Sequence, residues 1–271
     1  MLYLITGIIT RIVSNSYLNV FQKLLTNKGQ KSSVINFYTY LGLSLMSIWF
    51  LQEAVSTSII PLALGMGILG ALGNYFIIKA LSIGELSTIA PINSYKPVVA
   101  LIFGTIFLKE IPSVSAVFAI LLIILGTYVI LNSGKCDKKA LFYRIIALIC
   151  SGSEAVIIKK IIVLTSPEAC FGLWALTGLL FSAVFVLFAK HKPVIKDYKY
   201  QLLLILSVGI MQYSTNFVFA KMNVAYALAL FQLSTLLSVF LGVNIFNEKN
   251  LKKKVIGSII MISGAVILLL N

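Results

Sequence analysis

Ala90-Pro91-Ile92-Asn93-Ser94-Tyr95-Lys96-Pro97 lies near the middle of an apolar run that covers about 87–108. A bilayer is crossed by about 20 helical residues, so the run is long enough to span one. It nevertheless carries a lysine and two prolines at its centre. A charged side chain at mid-bilayer costs at least about 2.5 kcal/mol even on the lenient insertion scale, so Lys96 should face a cavity or a partner. Pro97 cannot donate a backbone hydrogen bond and, with Pro91, frees carbonyls one turn earlier. Two readings follow: a substrate contact, or a kinked helix whose lysine pairs with a neighbouring carbonyl or carboxylate.

Similar apolar runs fill the rest of the chain, at about 2–25, 34–52, 58–79, 112–132, 141–163, 168–189, 201–221, 225–246 and 253–270. Asn27-Lys28-Gly29-Gln30-Lys31 and Asn132-Ser133-Gly134-Lys135 are turn clusters, and Pro112, Pro167 and Pro193 fall at boundaries where proline is tolerated. The 271 residues are 59% hydrophobic and 11% charged, against roughly 45–50% and about 25% in soluble domains. A mean hydropathy of +1.01 agrees. The expected fold is therefore an all-α membrane protein with ten transmembrane helices and no soluble domain. Met1-Leu2-Tyr3-Leu4 lacks the basic start of a signal peptide, so the first run is read as a span that stays. Cys136, Cys150 and Cys170 have no metal-ligand spacing and read as packing residues.

The net charge of +14 raises the question of nucleic acid. The basic residues lie between apolar runs with no basic domain to carry them, which points to membrane lipids and excludes nucleic acid. Of the 22 basic residues, sixteen fall in odd-numbered connections or at span edges beside them, four in even-numbered ones, and Arg11 and Lys96 inside spans. That bias places the odd connections in the cytoplasm and both termini outside the cell membrane.

Self-comparison indicates a repeat. Phe37-Tyr38-Thr39-Tyr40-Leu41-Gly42 resembles Leu173-Trp174-Ala175-Leu176-Thr177-Gly178, and Lys23 matches Lys159, both at an offset of 136. Gly67, Asn74 and Lys79 match Gly209, Asn216 and Lys221 at 142. Gly104, Glu110 and Gly126 match Gly242, Glu248 and Gly264 at 138. The halves are then 1–134 and 135–271. A five-span unit crosses the membrane an odd number of times, so its copy enters from the opposite face. Two such inverted five-helix repeats suit alternating access about a shared site.

Ala80-Leu81-Ser82 through Ala90-Pro91-Ile92, then Pro97, Gly104, Lys109-Glu110 and Gly126-Thr127-Tyr128, resemble the second part of an EamA-type repeat. The spans ending in Lys23 and Lys159 resemble its first part. That repeat belongs to the drug/metabolite transporter superfamily. The resemblance implies a ten-helix carrier whose central cavity is lined by spans one, three, four, six, eight and nine. Family members of this size usually keep both termini in the cytoplasm, the reverse of the lysine count.

Other polar groups lie where lipid would penalise them. Arg11, Ser14, Asn15, Asn19 and Gln22 are spaced by threes and fours, so they form one polar face on the first span. Glu154 is the one acid well inside a span; it could bind a proton or pair with Lys96 or Arg11. Two buried cations against one anion invite a carboxylate or another anion. Asn74, Gln212, Asn216 and Gln232 either orient a substrate or bond between helices. Tyr95, with Tyr38, Trp174 and Tyr213, either stacks on a ligand or packs in the core, while Glu110 and Glu248 close spans four and nine as helix-end or gate contacts. His191 reads as solvated.

The chain has one histidine and no HExxH, GxSxG or Walker-type GxxxxGK[ST] loop, so neither enzyme, metal nor cofactor is expected. Transport would then be driven by gradients. The leading expectation is a secondary transporter of a small polar metabolite, an amino acid or similar carboxylate, working as a monomer or homodimer, in which Glu154 either tunes the charge or carries a coupling proton. The alternatives are a multidrug or lipophilic-cation exporter, a lipid-linked sugar flippase, and a non-transporting membrane scaffold.

Overall fold

The computed structural model describes residues 2–51, 57–109, 111–131, 137–247, 256–257, 259–264 and 267. In order come α1 (Leu2–Asn27), α2 (Ser32–Ser47), α3 (Ile60–Ile83), α4 (Leu86–Ile89), α5 (Lys96–Leu108), α6 (Val114–Leu131), α7 (Lys138–Leu164), α8 (Pro167–Phe188), α9 (Tyr198–Lys221), α10 (Val224–Phe231) and α11 (Ser234–Phe246). Short 3₁₀ segments extend α2 through Ile48–Leu51, precede α3 at Thr57–Ile59 and join α4 to α5 through Ala90–Tyr95. Among the described residues every regular element is helical, as an apolar chain in lipid requires, because a helix satisfies its backbone groups within itself.

Local chemistry sets the helix ends. The Gly29 φ of 74° closes α1, with Gly29 N–H donating to Thr26 O at 2.9 Å and Gln30 N–H to Leu25 O at 3.1 Å. That pairing is the Schellman arrangement, which needs a left-handed residue. Asp137, Ser166, Asp197 and Asn223 each accept backbone N–H bonds as N-caps of α7, α8, α9 and α10.

Among the described residues five helical segments are long and apolar enough to cross a membrane: Ser32–Phe50, Thr57–Ile83, Pro167–Phe188, Tyr198–Lys221 and Val224–Phe246. Lys96–Leu108 and Val114–Val129 are shorter apolar helices. With 26 and 27 residues, α1 and α7 are long enough to join them. Their buried polar and charged side chains, Arg11, Asn19 and Gln22 on one and Arg144 and Glu154 on the other, dilute that apolarity. Those side chains are buried, while Ile9, Val13, Ile145 and Ile149 on the same helices stay exposed, so each helix has a polar inner face and an apolar outer one.

Packing follows the repeat. α1 lies along α9, and its counterpart α7 lies along α3. Lys28, just past the end of α1, pairs with Asp197 at the start of α9 at 2.5 Å. A Cβ on Gly7, near the start of α1, would meet Phe217 and Val218 near the end of α9. α1 and α9 therefore run antiparallel. Lys23 Nζ, at the far end of α1, donates to Leu81 O and Gly84 O at the end of α3, both at 2.7 Å. Lys159, at the far end of α7, donates to Phe219 O and Met222 O at the end of α9. Each lysine satisfies carbonyls that a helix C-terminus leaves without partners.

The two lysine caps also correct the sequence register of the third and eighth spans. Leu81 and Gly84 precede Phe219 and Met222 by the same spacing that separates Gly104 from Gly242. The apparent sequence offset of 142 is therefore about one helical turn too long, and Asn74 corresponds to Gln212, not to Asn216. A four-residue slip keeps the same helical face, which is why side-chain patterning alone does not detect it.

Spans four and nine break at equivalent places. The starts of α4 and α10 keep the spacing of Gly104 to Gly242, and α5 and α11 share it at both ends. The continuous spans expected at 87–108 and 225–246 are thus each two helices. In the first half prolines cause the break, and Lys96 N–H bonds three residues back to Asn93 O. In the second half no proline is present. There Gln232 Nε2 takes Leu228 O at 2.8 Å while its own N–H turns to Ala229 O at 3.0 Å. The side chain replaces the helical bond that the backbone gives up.

Where the α1–α2 turn meets the start of α9, the Asp197 carboxyl is held below the usual carboxylate range, first by the Lys28 hydrogen bond and then by Tyr200 N–H, and Lys28 is raised by the same contact. A depressed carboxyl stabilises above its unfolded value and loses that contribution as pH falls through its folded value. Hydrogen exchange at the start of α9 is therefore expected to accelerate below about pH 4. Asp197→Asn should abolish that pH step.

Candidate functional site

The polar faces of α1 and α7 converge on a cavity of about 120 Å³. Its wall draws on α1, α3, α7, α9 and both broken spans, with Tyr40 from α2 and Trp174 from α8. The wall includes the set that the family resemblance implied, spans one, three, four, six, eight and nine, and adds one aromatic side chain from each of spans two and seven.

Arg11 is 6% exposed. Its Nε donates to Thr215 Oγ1 at 2.7 Å, and its guanidinium lies over the Phe231 ring, 4.8 Å from the centroid. Its Nη1 is buried without a hydrogen-bond partner. Lys96 opens α5 at the break and has neither a hydrogen bond nor an ion pair among the described residues. Glu154 Oε1 accepts from Trp174 Nε1 at 2.6 Å. A Cβ on Gly70 would collide with Glu154 Oε1, so only glycine leaves room for that contact. The ion pair expected between Glu154 and Lys96 or Arg11 does not form: among the described residues the one pair within 4 Å is Lys28–Asp197. In the same wall Asn19 Oδ1, Tyr40 OH and Ser238 Oγ are also buried without partners. Buried polar atoms are nearly always satisfied, so this concentration marks a place built to meet something polar.

Of the nine residues singled out from the sequence, Arg11, Asn15, Asn74, Lys96, Glu154 and Gln212 line the cavity. Asn15 Nδ2 donates to Ser234 Oγ at 2.9 Å. Asn74 accepts from Gln22 at 3.0 Å and donates to Asn36 at 2.6 Å. Asn216 sits behind the wall, where it accepts from Gln212 Nε2 at 2.9 Å and donates to Pro167 O at 3.0 Å. Gln232 supports the second break. Tyr95 turns away to an apolar hollow with Phe118, Leu121 and Tyr128. Tyr38 and Tyr213 bond Pro193 O and Glu168 at exposed positions, and His191 meets Ser33 Oγ at 2.8 Å. Glu110, Glu248 and Cys136 lie outside the described residues; Cys150 and Cys170 are free thiols.

The EamA-like transporter family matches at residues 2–132 and again at 138–270. The chain belongs to that family. It is a multi-pass membrane protein of the drug/metabolite transporter superfamily. A crystal structure of a protein with 15% sequence identity matches over 98% of this chain and 96% of its own, with a TM-score of 0.75, and so shares the fold. No curated protein matches the chain.

Within this EamA-like frame, sequence reasoning missed Arg144. The lysine and arginine count places it with the surface basic residues, but it is 2% exposed and lines the cavity. Its Nε donates to Ile89 O at 3.2 Å and its Nη2 to Asn93 Oδ1 at 2.6 Å, holding the break between α4 and α5. The surface count thus becomes fifteen to four, with its direction unchanged. A signal was available: Arg144, Ala147, Ser151, Glu154 and Ala155 form a small, polar stripe at helical spacing, like the one on α1. Trp174, read mainly as a packing residue, proves to be the hydrogen-bond donor to Glu154.

Proposed function

We propose that this chain is a secondary transporter that moves a small polar metabolite, an amino acid or related carboxylate, across the cell membrane by alternating access. Ten spans would form two inverted five-helix repeats, 1–134 and 135–271, with both termini outside. The antiparallel run of α1 against α9, the equivalent lysine caps and the matched breaks support the inversion. The observation that carries the reading is the Lys96 ammonium, with no hydrogen bond or ion pair among the described residues, together with the buried, unsatisfied Arg11 Nη1 in a cavity walled by both halves. Lys96 and Arg11 would attract an anionic group, Asn15, Asn74 and Gln212 would orient the rest, and Glu154 would tune the charge or carry a coupling proton. The broken spans supply two hinges at the depth of the site.

A lipophilic-cation exporter fits less well, because three cations and one carboxylate line the wall and drug-sized ligands occupy pockets of roughly 300–1,000 Å³. A scaffold has no use for a polar cavity that reaches Lys96. Purified protein in liposomes should accumulate labelled amino acids or carboxylates down an imposed gradient. Failure of every amino acid and carboxylate to enter, alongside uptake of cationic dyes, would instead establish the exporter reading. Glu154→Gln is expected to remove any proton dependence of uptake, read as loss of stimulation by an imposed pH gradient.

A further inference from the structure

We infer that the cavity is built for a small dianion, held between Arg11 and Arg144. The inference rests on the transport reading above and narrows its substrate class from a carboxylate in general to a solute with two negative charges.

Charge balance comes first. Among the described residues, Arg11, Lys96 and Arg144 face the cavity with Glu154 alone against them, a formal excess of two. Glu154, Arg11 and Arg144 all lie within electrostatic reach of Lys96. A zwitterion would leave the whole excess unneutralised, and a monocarboxylate half of it. Buried charge is costly unless paired, so the occupant that matches this wall carries two negative charges.

Position supports the same conclusion. Arg11, on α1 of the first half, stands over Phe231 at the break of the second half. Arg144, on α7 of the second half, bonds Asn93 at the break of the first half. Asn93 and Phe231 are equivalent in the two repeats, with the spacing that relates the helices on either side of each break. The break in each half thus receives one guanidinium from the other. Arg144 spends Nε and Nη2 on Ile89 O and Asn93, leaving Nη1 uncommitted among the described residues, while Arg11 keeps a buried Nη1 with no partner. Guanidinium N–H groups suit carboxylate and phosphate oxygens, and an uncommitted Nη1 on each of the two opposite halves suits an anion held at both ends.

The test uses the full chain in detergent or nanodiscs, at fixed ionic strength and mildly alkaline pH, by calorimetry. The probes are succinate and inorganic phosphate as dianions, butyrate as a monoanion and alanine as a zwitterion. Succinate or phosphate is expected to bind at least about 10-fold tighter than butyrate or alanine, since one charge-assisted contact is worth about that much. Succinate ahead of phosphate means two separated groups, and phosphate ahead means one; both support a dianion site. Arg11→Gln and Arg144→Gln should each cut the dianion preference on the order of 10-fold. That preference is a ratio within one preparation, so it is insensitive to folded yield, and Arg144→Lys should retain most of it. Equal or tighter binding of alanine or butyrate, or an unchanged ratio in both glutamine variants, would overturn the inference. If succinate binds tightly yet none of the four solutes crosses a liposome membrane, the transport reading fails and the dianion site stands.

Discussion

Lys96→Ala is expected to lower uptake into proteoliposomes on the order of 100-fold while leaving the yield of folded, monodisperse protein within about twofold of the parent chain. The size follows from a charge-assisted hydrogen bond, worth about 1.5–3 kcal/mol, with tenfold for each 1.4 kcal/mol. The insensitivity of folding follows from the environment of the ammonium group. It makes no hydrogen bond or ion pair among the described residues, so its removal breaks no direct contact; it gives up the attraction of Glu154 and relieves the repulsion of Arg11 and Arg144. Truncating a buried charge usually destabilises because it strands a partner; here Glu154, the one anion within reach, keeps its Trp174 hydrogen bond and shares the cavity wall with Arg11 and Arg144. Uptake assay and size-exclusion profile together check the prediction. Loss of both yield and uptake would make Lys96 a structural residue, and unchanged uptake would remove it from the mechanism.

Gly126→Ala and Gly264→Ala should each destabilise by about 1–3 kcal/mol, the usual cost of overpacking, and should do so almost equally. A Cβ on Gly126 would lie 2.5 Å from Gly257 O and 2.8 Å from Met261 N, and one on Gly264 would lie 2.7 Å from Ala119 O. These obstacles are backbone and cannot swing aside as a side-chain tip can. The contacts are also reciprocal. Ala119 and Gly257 are equivalent in the two repeats, as are Gly126 and Gly264, so each glycine packs against the equivalent turn of the other helix. Small residues let membrane helices approach this closely. Thermal unfolding followed by intrinsic fluorescence should give midpoints lowered by about 5 °C for each variant. A large drop for one and none for the other would contradict the two-fold relation.

Much of this was legible in the sequence because lipid is a demanding solvent. A lysine or arginine inside an apolar run has few tolerable destinations, so Arg11, Lys96 and Glu154 reach the cavity as their positions required. Repeat spacing was legible for the same reason, since glycines at tight crossings and lysines at helix ends cannot be freely exchanged. Three things were harder to read, the first despite the polar stripe that Arg144 begins on α7. Arg144 stands only seven residues into its helix, where a basic residue looks like a surface anchor until the Asp137 cap fixes where that helix starts. The break at Gln232 uses a side-chain amide in place of proline and leaves no local signature. Asn74 and Asn216 look like partners, yet they differ by one turn from true equivalence, and only the carbonyls bound by Lys23 and Lys159 reveal the correct register.

Opposed halves around a site reached from either side can be examined with one cysteine. With Cys136, Cys150 and Cys170 replaced, Ser151→Cys places a thiol in the cavity wall. Labelling with a membrane-impermeant maleimide, applied separately to each face of oriented vesicles, should succeed from both faces and slow when a transported solute is present. Labelling from one face alone, at a rate no solute alters, would contradict alternating access and leave a closed, one-sided cavity in its place.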